Sequence, residues 1–235
     1  MLTRDALKEG WLQRMAATPG GETVHFLTEA ELEASRRTLL RAHPPADDLW
    51  LFGYGSLIWN PAFHFVERRH GRIHGFHRRF CLWTRMGRGC PERPGLMLGL
   101  DHGGSCAGVF YRIAATAIEE ELPLVWRREM LTSSYRPVWI RGRLEDRADG
   151  NEPIRALGFV INRAHERYAG ALDDEAVASS IAHAEGPLGR CSEYLFATTE
   201  HLNALGIRDR GLEALCRRVR LLQTEEGYPQ PKVAE

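Results

Sequence analysis

The spacing of apolar residues changes character several times along the chain, and each change predicts an element. Leu49, Trp50, Leu51 and Phe52 run together and stop at Gly53-Tyr54-Gly55-Ser56-Leu57, after which Ile58 and Trp59 restore the apolar character. A short apolar run cut by glycine predicts a buried strand entering a tight loop. Glycine permits positive φ and close backbone approach, so the N–H groups of such a loop are well placed to face a ligand. Aromatic and β-branched residues over 63–69 and 71–83 predict strands separated near Gly71. Residues 96–100 and 105–113 predict two more, joined by a hairpin turn at Asp101-His102-Gly103-Gly104.

From Thr116 the period becomes helical. Ile118, Leu122, Val125 and Trp126 recur at helical spacing, and Thr116 with Glu119 forms a capping-box pattern. Pro123 predicts a break or two shorter helices before an end near Met130. Strands follow at 135–144 and 155–161, then helices at 173–184, 193–205 and 210–222. At the other end, Asp5-Ala6-Leu7 predicts a short helix, and Thr28 with Glu31 opens another that runs to about Ala42. The run His43-Pro44-Pro45-Ala46-Asp47-Asp48 reads as a linker. The expected organisation is an N-terminal helical extension at 1–47, one principal domain at 48–224 and a tail at 225–235. Strands with interspersed helices, then helices alone, indicate an α+β fold rather than a βαβ winding.

Charge narrows the function classes. Lys plus Arg and Asp plus Glu both total 31 in 235 residues, so no net field points to nucleic acid or an anionic membrane. No apolar run approaches the roughly 18 residues that span a bilayer. Arg4, Asp5, Lys8 and Glu9 stand where a secretory signal would need an apolar stretch. The cysteines, Cys81, Cys90, Cys106, Cys191 and Cys216, are odd in number and widely spaced, which fits unpaired thiols in a reducing cytosol. A cytoplasmic protein is expected.

Chemical motifs are sparse. His74 and His77 fall in a strand-like run, where positions three apart face opposite ways, so no metal site is expected. Gly53-Tyr54-Gly55 lacks the third glycine of a dinucleotide fingerprint, and Gly-Tyr-Gly-Ser-Leu is not a nucleophile elbow. Glu129 is the carboxylate of interest. Near a helix C-terminus it meets the unfavourable end of the dipole, and among apolar neighbours its pKa would rise into a useful acid–base range. The competing reading is a solvated Glu paired with Arg127 or Arg128.

Several blocks, in order, carry a family resemblance. Phe52 to Pro61 resembles the opening motif of the ChaC-type γ-glutamylcyclotransferases, and Gly71 to Cys81 is similar to their next block. The segments Gly89-Cys90-Pro91-Glu92-Arg93-Pro94-Gly95, Leu98 to Val109, Arg128-Glu129-Met130, Gly189 to Leu195 and Leu205 to Asp209 continue it, covering about residues 49 to 222. Cys90 departs from the pattern, where the family would have Thr, and this bears on substrate preference. The extension at 1–47 lies outside the resemblance.

The resemblance implies a mixed α+β, γ-glutamylcyclotransferase-like fold with a closed or barrel-like sheet and flanking helices. The implied reaction is intramolecular: the α-amine of a γ-glutamyl group attacks its own γ-carbonyl, giving 5-oxoproline and releasing an amine. In the ChaC branch the substrate is glutathione and the leaving group Cys-Gly, so a small molecule is the implied partner, with no metal or organic cofactor. Glu129 takes the place of the family's catalytic glutamate. Backbone N–H groups of Tyr54, Gly55, Ser56 and Leu57 are expected to hold the substrate. Arg85, Tyr111, Tyr135 and Tyr194 are further polar candidates for the pocket, each of which reads equally well as a structural residue. The alternatives are a non-catalytic regulatory protein on the same fold, and a cyclotransferase for another γ-glutamyl amine or peptide.

Overall fold

The computed structural model describes residues 3–10, 25–145 and 153–225. They fall into two compact units, one drawn from 1–82 and 98–168, the other from 83–97 and 169–235. The expected tail lies mostly outside the described residues.

The first unit is built on a closed barrel with strand order β1-β3-β2-β4-β5. Here β1 is Leu49–Gly53, β2 Glu67–Thr84, β3 Gly95–Ile113, β4 Tyr135–Leu144 and β5 Ile154–Ile161. β1 runs antiparallel to β3, with Leu49 opposite Ile113 and Gly53 opposite Val109. A parallel pairing of β1 with β5, Trp50 opposite Ala156, helps close the ring. Leu49, Leu51, Phe52, Ile73, Leu100, Phe110 and Leu157 are fully buried. Burying each large apolar side chain stabilises the fold by about 1.5–3 kcal/mol, which fixes the register of every strand that contributes one.

β2 and β3 differ from the sequence expectation in being continuous. The expected hairpin at 101–104 is not formed. Gly103 and Gly104 take φ of 98° and 69°, so the chain bends within β3 without reversing. The bend lies against β2, where His77 Nδ1 is 3.0 Å from the Gly103 carbonyl. Glycines that look like breaks in the sequence here lie within long, continuous strands.

Just before the bend, Asp101 is fully buried on β3. Its carboxylate accepts from Arg163 (2.6 Å), the Tyr168 hydroxyl (2.9 Å), Arg79 (3.3 Å) and the His102 N–H (2.8 Å). Burial alone would raise its pKa, but these donors outweigh burial and hold it below the usual carboxylate range. The resulting stability is present above the unfolded-state pKa and is lost as pH falls through the folded one. Asp101→Asn is expected to cost about 3 kcal/mol, the low end for breaking a buried pair because Arg163 is half-exposed. Urea unfolding checks this, and the difference from wild type should shrink toward acid pH.

Among the described residues this unit carries the α-helices α1 (Arg4–Lys8), α2 (Glu29–Leu40) and α3 (Ile118–Glu129). The Thr28 capping box forms as expected, with the Glu31 N–H donating to Thr28 Oγ1 and the Thr28 N–H to the Glu31 carboxylate. The Thr116 box does not form: Thr116 lies in a 3-10 turn, Ala115–Ala117, and Glu119 instead binds Arg36 at 2.8 Å. Nor does Pro123 break α3. It sits inside one helix whose Ile118, Leu122, Val125 and Trp126 are buried, and that burial outweighs the lost backbone bond.

The second unit holds α4 (Asp174–His183), α5 (Cys191–Ala204) and α6 (Arg210–Glu225) around Ala178, Ile181, Leu195, Leu202 and Val219. Gln223, also buried, donates to the Ala182 carbonyl (3.1 Å) and Ser192 Oγ (3.0 Å).

Candidate active site

β1 ends at Gly53, and the chain turns through a 3-10 helix, Ser56–Ile58. The role expected for glycine here needs correcting, because neither Gly53 nor Gly55 has positive φ. What Gly53 offers is space: a Cβ there would lie 3.1 Å from Tyr111 Cε2 and 3.2 Å from Leu57 Cβ, tighter than ordinary contact. The Ile58 N–H is the first to be bonded inside the turn, to the Gly55 carbonyl at 2.9 Å. The N–H groups of Gly55, Ser56 and Leu57 precede it, in the position where a helical turn supplies no partner of its own.

Three side chains fix this loop from its carbonyl side. Arg78, 9% exposed on β2, donates to the Tyr54 carbonyl at 2.7 Å and also to that of Ala107. Tyr111, fully buried on β3, donates to the carbonyl of Leu57 at 2.9 Å, with that of Ile58 at 3.2 Å. Burial pushes the Tyr111 phenol up to about 12, so it remains a donor at any working pH. Tyr111 therefore supports the loop, the structural one of the two readings its sequence position allows. Tyr111→Phe is expected to lower stability by about 1 kcal/mol, one buried hydrogen-bond donor, with a matching drop in Tm.

The third side chain is Arg128, which the sequence did not single out except as a counter-ion for Glu129. Its Nη2 donates to Ser56 Oγ at 2.7 Å, its Nη1 to the Asn60 carbonyl, and its Nε lies 3.1 Å from Glu129 Oε1. One guanidinium thus spans the distance from the glycine loop to the Glu129 carboxylate. Glu129 is the last residue of α3, and its side chain is 14% exposed, surrounded by protein on most sides with one edge reaching solvent. Burial raises its pKa above the ordinary carboxylate value, against the opposing pull of Arg128. Of the competing sequence reading only the pairing holds, and with Arg128: the carboxylate is buried on most sides rather than solvated, and burial raises its pKa as the apolar surroundings led one to expect.

The other expected residues divide. Tyr54 is buried at 6% exposure beside the loop it belongs to, and the Tyr135 hydroxyl donates to the Leu98 carbonyl at 2.7 Å. Arg85 and Tyr194 belong to the second unit, where Arg85 is exposed and Arg88 lies 5.9 Å over the Tyr194 ring. Cys90 is also there, in a tight turn with Arg93. The signal that could have found Arg128 is its adjacency to Glu129; its loop partners lie 72 and 68 residues away in sequence.

The site is thus a buried carboxyl tied by one arginine to the glycine loop of a closed barrel in an α+β fold. Comparison with known proteins gives the family. Residues 49–222 match the family described as ChaC-like protein, and the chain belongs to that family. It is 40% identical over 192 residues to the glutathione-specific γ-glutamylcyclotransferase of Escherichia coli K12, covering 82% of this chain and 81% of that one. It is 32% identical over 186 residues to γ-glutamylcyclotransferase 2-3 of Arabidopsis thaliana, covering 75% and 91%. The crystal structure of a glutathione-specific γ-glutamyl cyclotransferase from yeast has the same fold, with a TM-score of 0.67 at 24% identity over 74% of this chain and 96% of that one.

Proposed function

We propose that this protein degrades glutathione by cyclising its γ-glutamyl group, releasing 5-oxoproline and Cys-Gly. The observation that carries the reading is the raised Glu129 carboxyl held by the same guanidinium that binds the glycine loop. The curated relatives named above point to the same chemistry.

The nucleophile and the electrophile belong to one glutamyl chain, so the main demand on the protein is to fold that chain into a near-attack shape. The attacking α-amine must lose a proton and the departing cysteinyl nitrogen must gain one. Glu129 relays it, as base in the first step and acid in the second, and a raised pKa suits both halves of that task. The γ-carbonyl oxygen gathers negative charge as the ring closes. The N–H groups of Gly55, Ser56 and Leu57 are its donors, each worth roughly 3 kcal/mol where such groups have been removed from other enzymes. Ser56 Oγ accepts from Arg128, which leaves the hydroxyl proton to donate. Tyr54 and Tyr135 are the proposed contacts to the rest of the substrate, and residues 48–224 the proposed catalytic domain. Among the described residues no helix is long and apolar enough to cross a membrane. We place the reaction in the cytoplasm because the five free cysteines suit a reducing compartment.

The test is incubation with glutathione beside a panel of γ-glutamyl amino acids and amines, following 5-oxoproline. Preferential turnover of glutathione is expected. Preferential turnover of another γ-glutamyl amine would keep the chemistry and change the substrate, and no 5-oxoproline from any of them would favour a non-catalytic regulator on this fold.

A further inference from the structure

The family match begins at residue 49, yet side chains well before it are bonded along the whole length of α3. The most buried of these contacts is at Glu121, in the first turn of α3, whose side chain is 1% exposed. Arg4 on α1 binds this carboxylate as a fork, Nη2 to Oε1 at 2.8 Å and Nη1 to Oε2. Oε2 also accepts the backbone N–H of His64 at 2.9 Å, and His64 Nδ1 lies 3.1 Å from Oε1. Further along, Glu29 accepts from Arg127 Nε at 2.9 Å, and the Leu27 N–H donates to the carbonyl of Leu131 at 2.9 Å, just beyond Glu129.

His64 closes the segment that opens with the glycine loop. Midway between Asn60, whose carbonyl Arg128 holds, and His64, whose N–H Glu121 holds, stands Ala62 with φ of 57°. A residue with a Cβ enters that region at a cost and stays there only where its surroundings over-determine it. Here the surroundings are the two anchors on α3. Glu121 and Arg128 are seven residues apart, about two helical turns, so they lie on one side of the helix. The loop is held against α3 at both ends, and one anchor depends on a cation from the extension.

We propose that Arg4, through Glu121, is a positioning residue for the reaction: it fixes the second anchor of the 53–64 segment on α3 and so sets the loop donors against Glu129. The inference rests on the reading of Glu129 as acid and base. Without the fork, a buried carboxylate loses its counter-ion and the His64 anchor loosens, while Arg128 still holds Asn60. The glycine loop is then tethered at one end only.

The experiment compares full-length Arg4→Met/Glu121→Leu with Arg4→Lys, Glu129→Gln and wild type, measuring kcat and KM for 5-oxoproline release together with Tm. Replacing both members of a buried pair by apolar residues of similar size is often close to neutral, so the double variant is expected to keep its Tm within about 5 °C. Its kcat is expected to fall about tenfold with KM within about twofold, the split expected of a misplaced catalytic constellation. Arg4→Lys keeps the charge without the fork and is expected to fall between. A double variant at wild-type kcat, with Glu129→Gln inactive, overturns the positioning role and leaves the acid–base reading standing. An active Glu129→Gln overturns both. Should the double variant fail to fold, Arg4→Lys decides: reduced kcat at wild-type Tm supports the role, and wild-type kcat overturns it.

Discussion

Replacing Glu129 by Gln is expected to leave a folded protein whose kcat for 5-oxoproline release from glutathione is lower by about 10³-fold, within the range of a general acid–base group. KM is expected to change little, because the amide keeps the shape of the side chain. Stability supplies an independent check. Burial raises the Glu129 pKa, so the carboxyl favours folding most fully below its unfolded-state pKa, and that contribution is lost as pH rises through the folded value. Gln is neutral at every pH and escapes this loss. The variant is therefore expected to be at least as stable as wild type at neutral pH, and a falling Tm would show that Glu129 has a structural task. In wild type the acid limb of the kcat profile should lie above the ordinary carboxylate range, since the first step needs the ionised base.

Arg128 carries the second large effect. Arg128→Ala removes the donors to Ser56 Oγ and the Asn60 carbonyl and the charge beside Glu129. A loss of roughly a hundredfold in kcat/KM is expected, the scale of a displaced catalytic geometry. The pH profile separates the two contributions. Arg128 pulls the Glu129 pKa down against burial, so its removal should move the acid limb to higher pH. Arg128→Lys retains charge but cannot reach its three partners as a planar fork, and should restore the limb more fully than the rate. An unmoved acid limb in Arg128→Ala would mean that the limb belongs to another group.

The glycine loop and Glu129 were legible in the sequence for different reasons. The loop announces itself by the abrupt passage from Leu49–Phe52 into glycine, and the buried β1 confirms the strand before it. Glu129 stood out by its place at a helix end among apolar neighbours, and by the family resemblance. What the sequence does not display depends on contacts between residues distant in the chain. Arg128 serves the loop only because α3 lies beside it, and Tyr111 supports the loop only because β3 pairs with β1. Local rules also misled where tertiary packing outweighed them: Gly103 and Gly104 bend β3 instead of ending it, and Pro123 is carried inside α3 by the burial of its neighbours. The extension showed its capping box at Thr28, but that Arg4 would reach a buried carboxylate at position 121 is a property of the fold.

In the proposed reaction the γ-carbonyl is attacked by the amine of its own glutamyl group, with Glu129 moving the proton and water kept out of the bond-forming step. Turnover of glutathione in oxygen-18 water, with mass analysis of every product, tests it most directly. Equal amounts of 5-oxoproline and Cys-Gly are expected, with no label in the 5-oxoproline. Labelled glutamate, the product of hydrolysis, would contradict it.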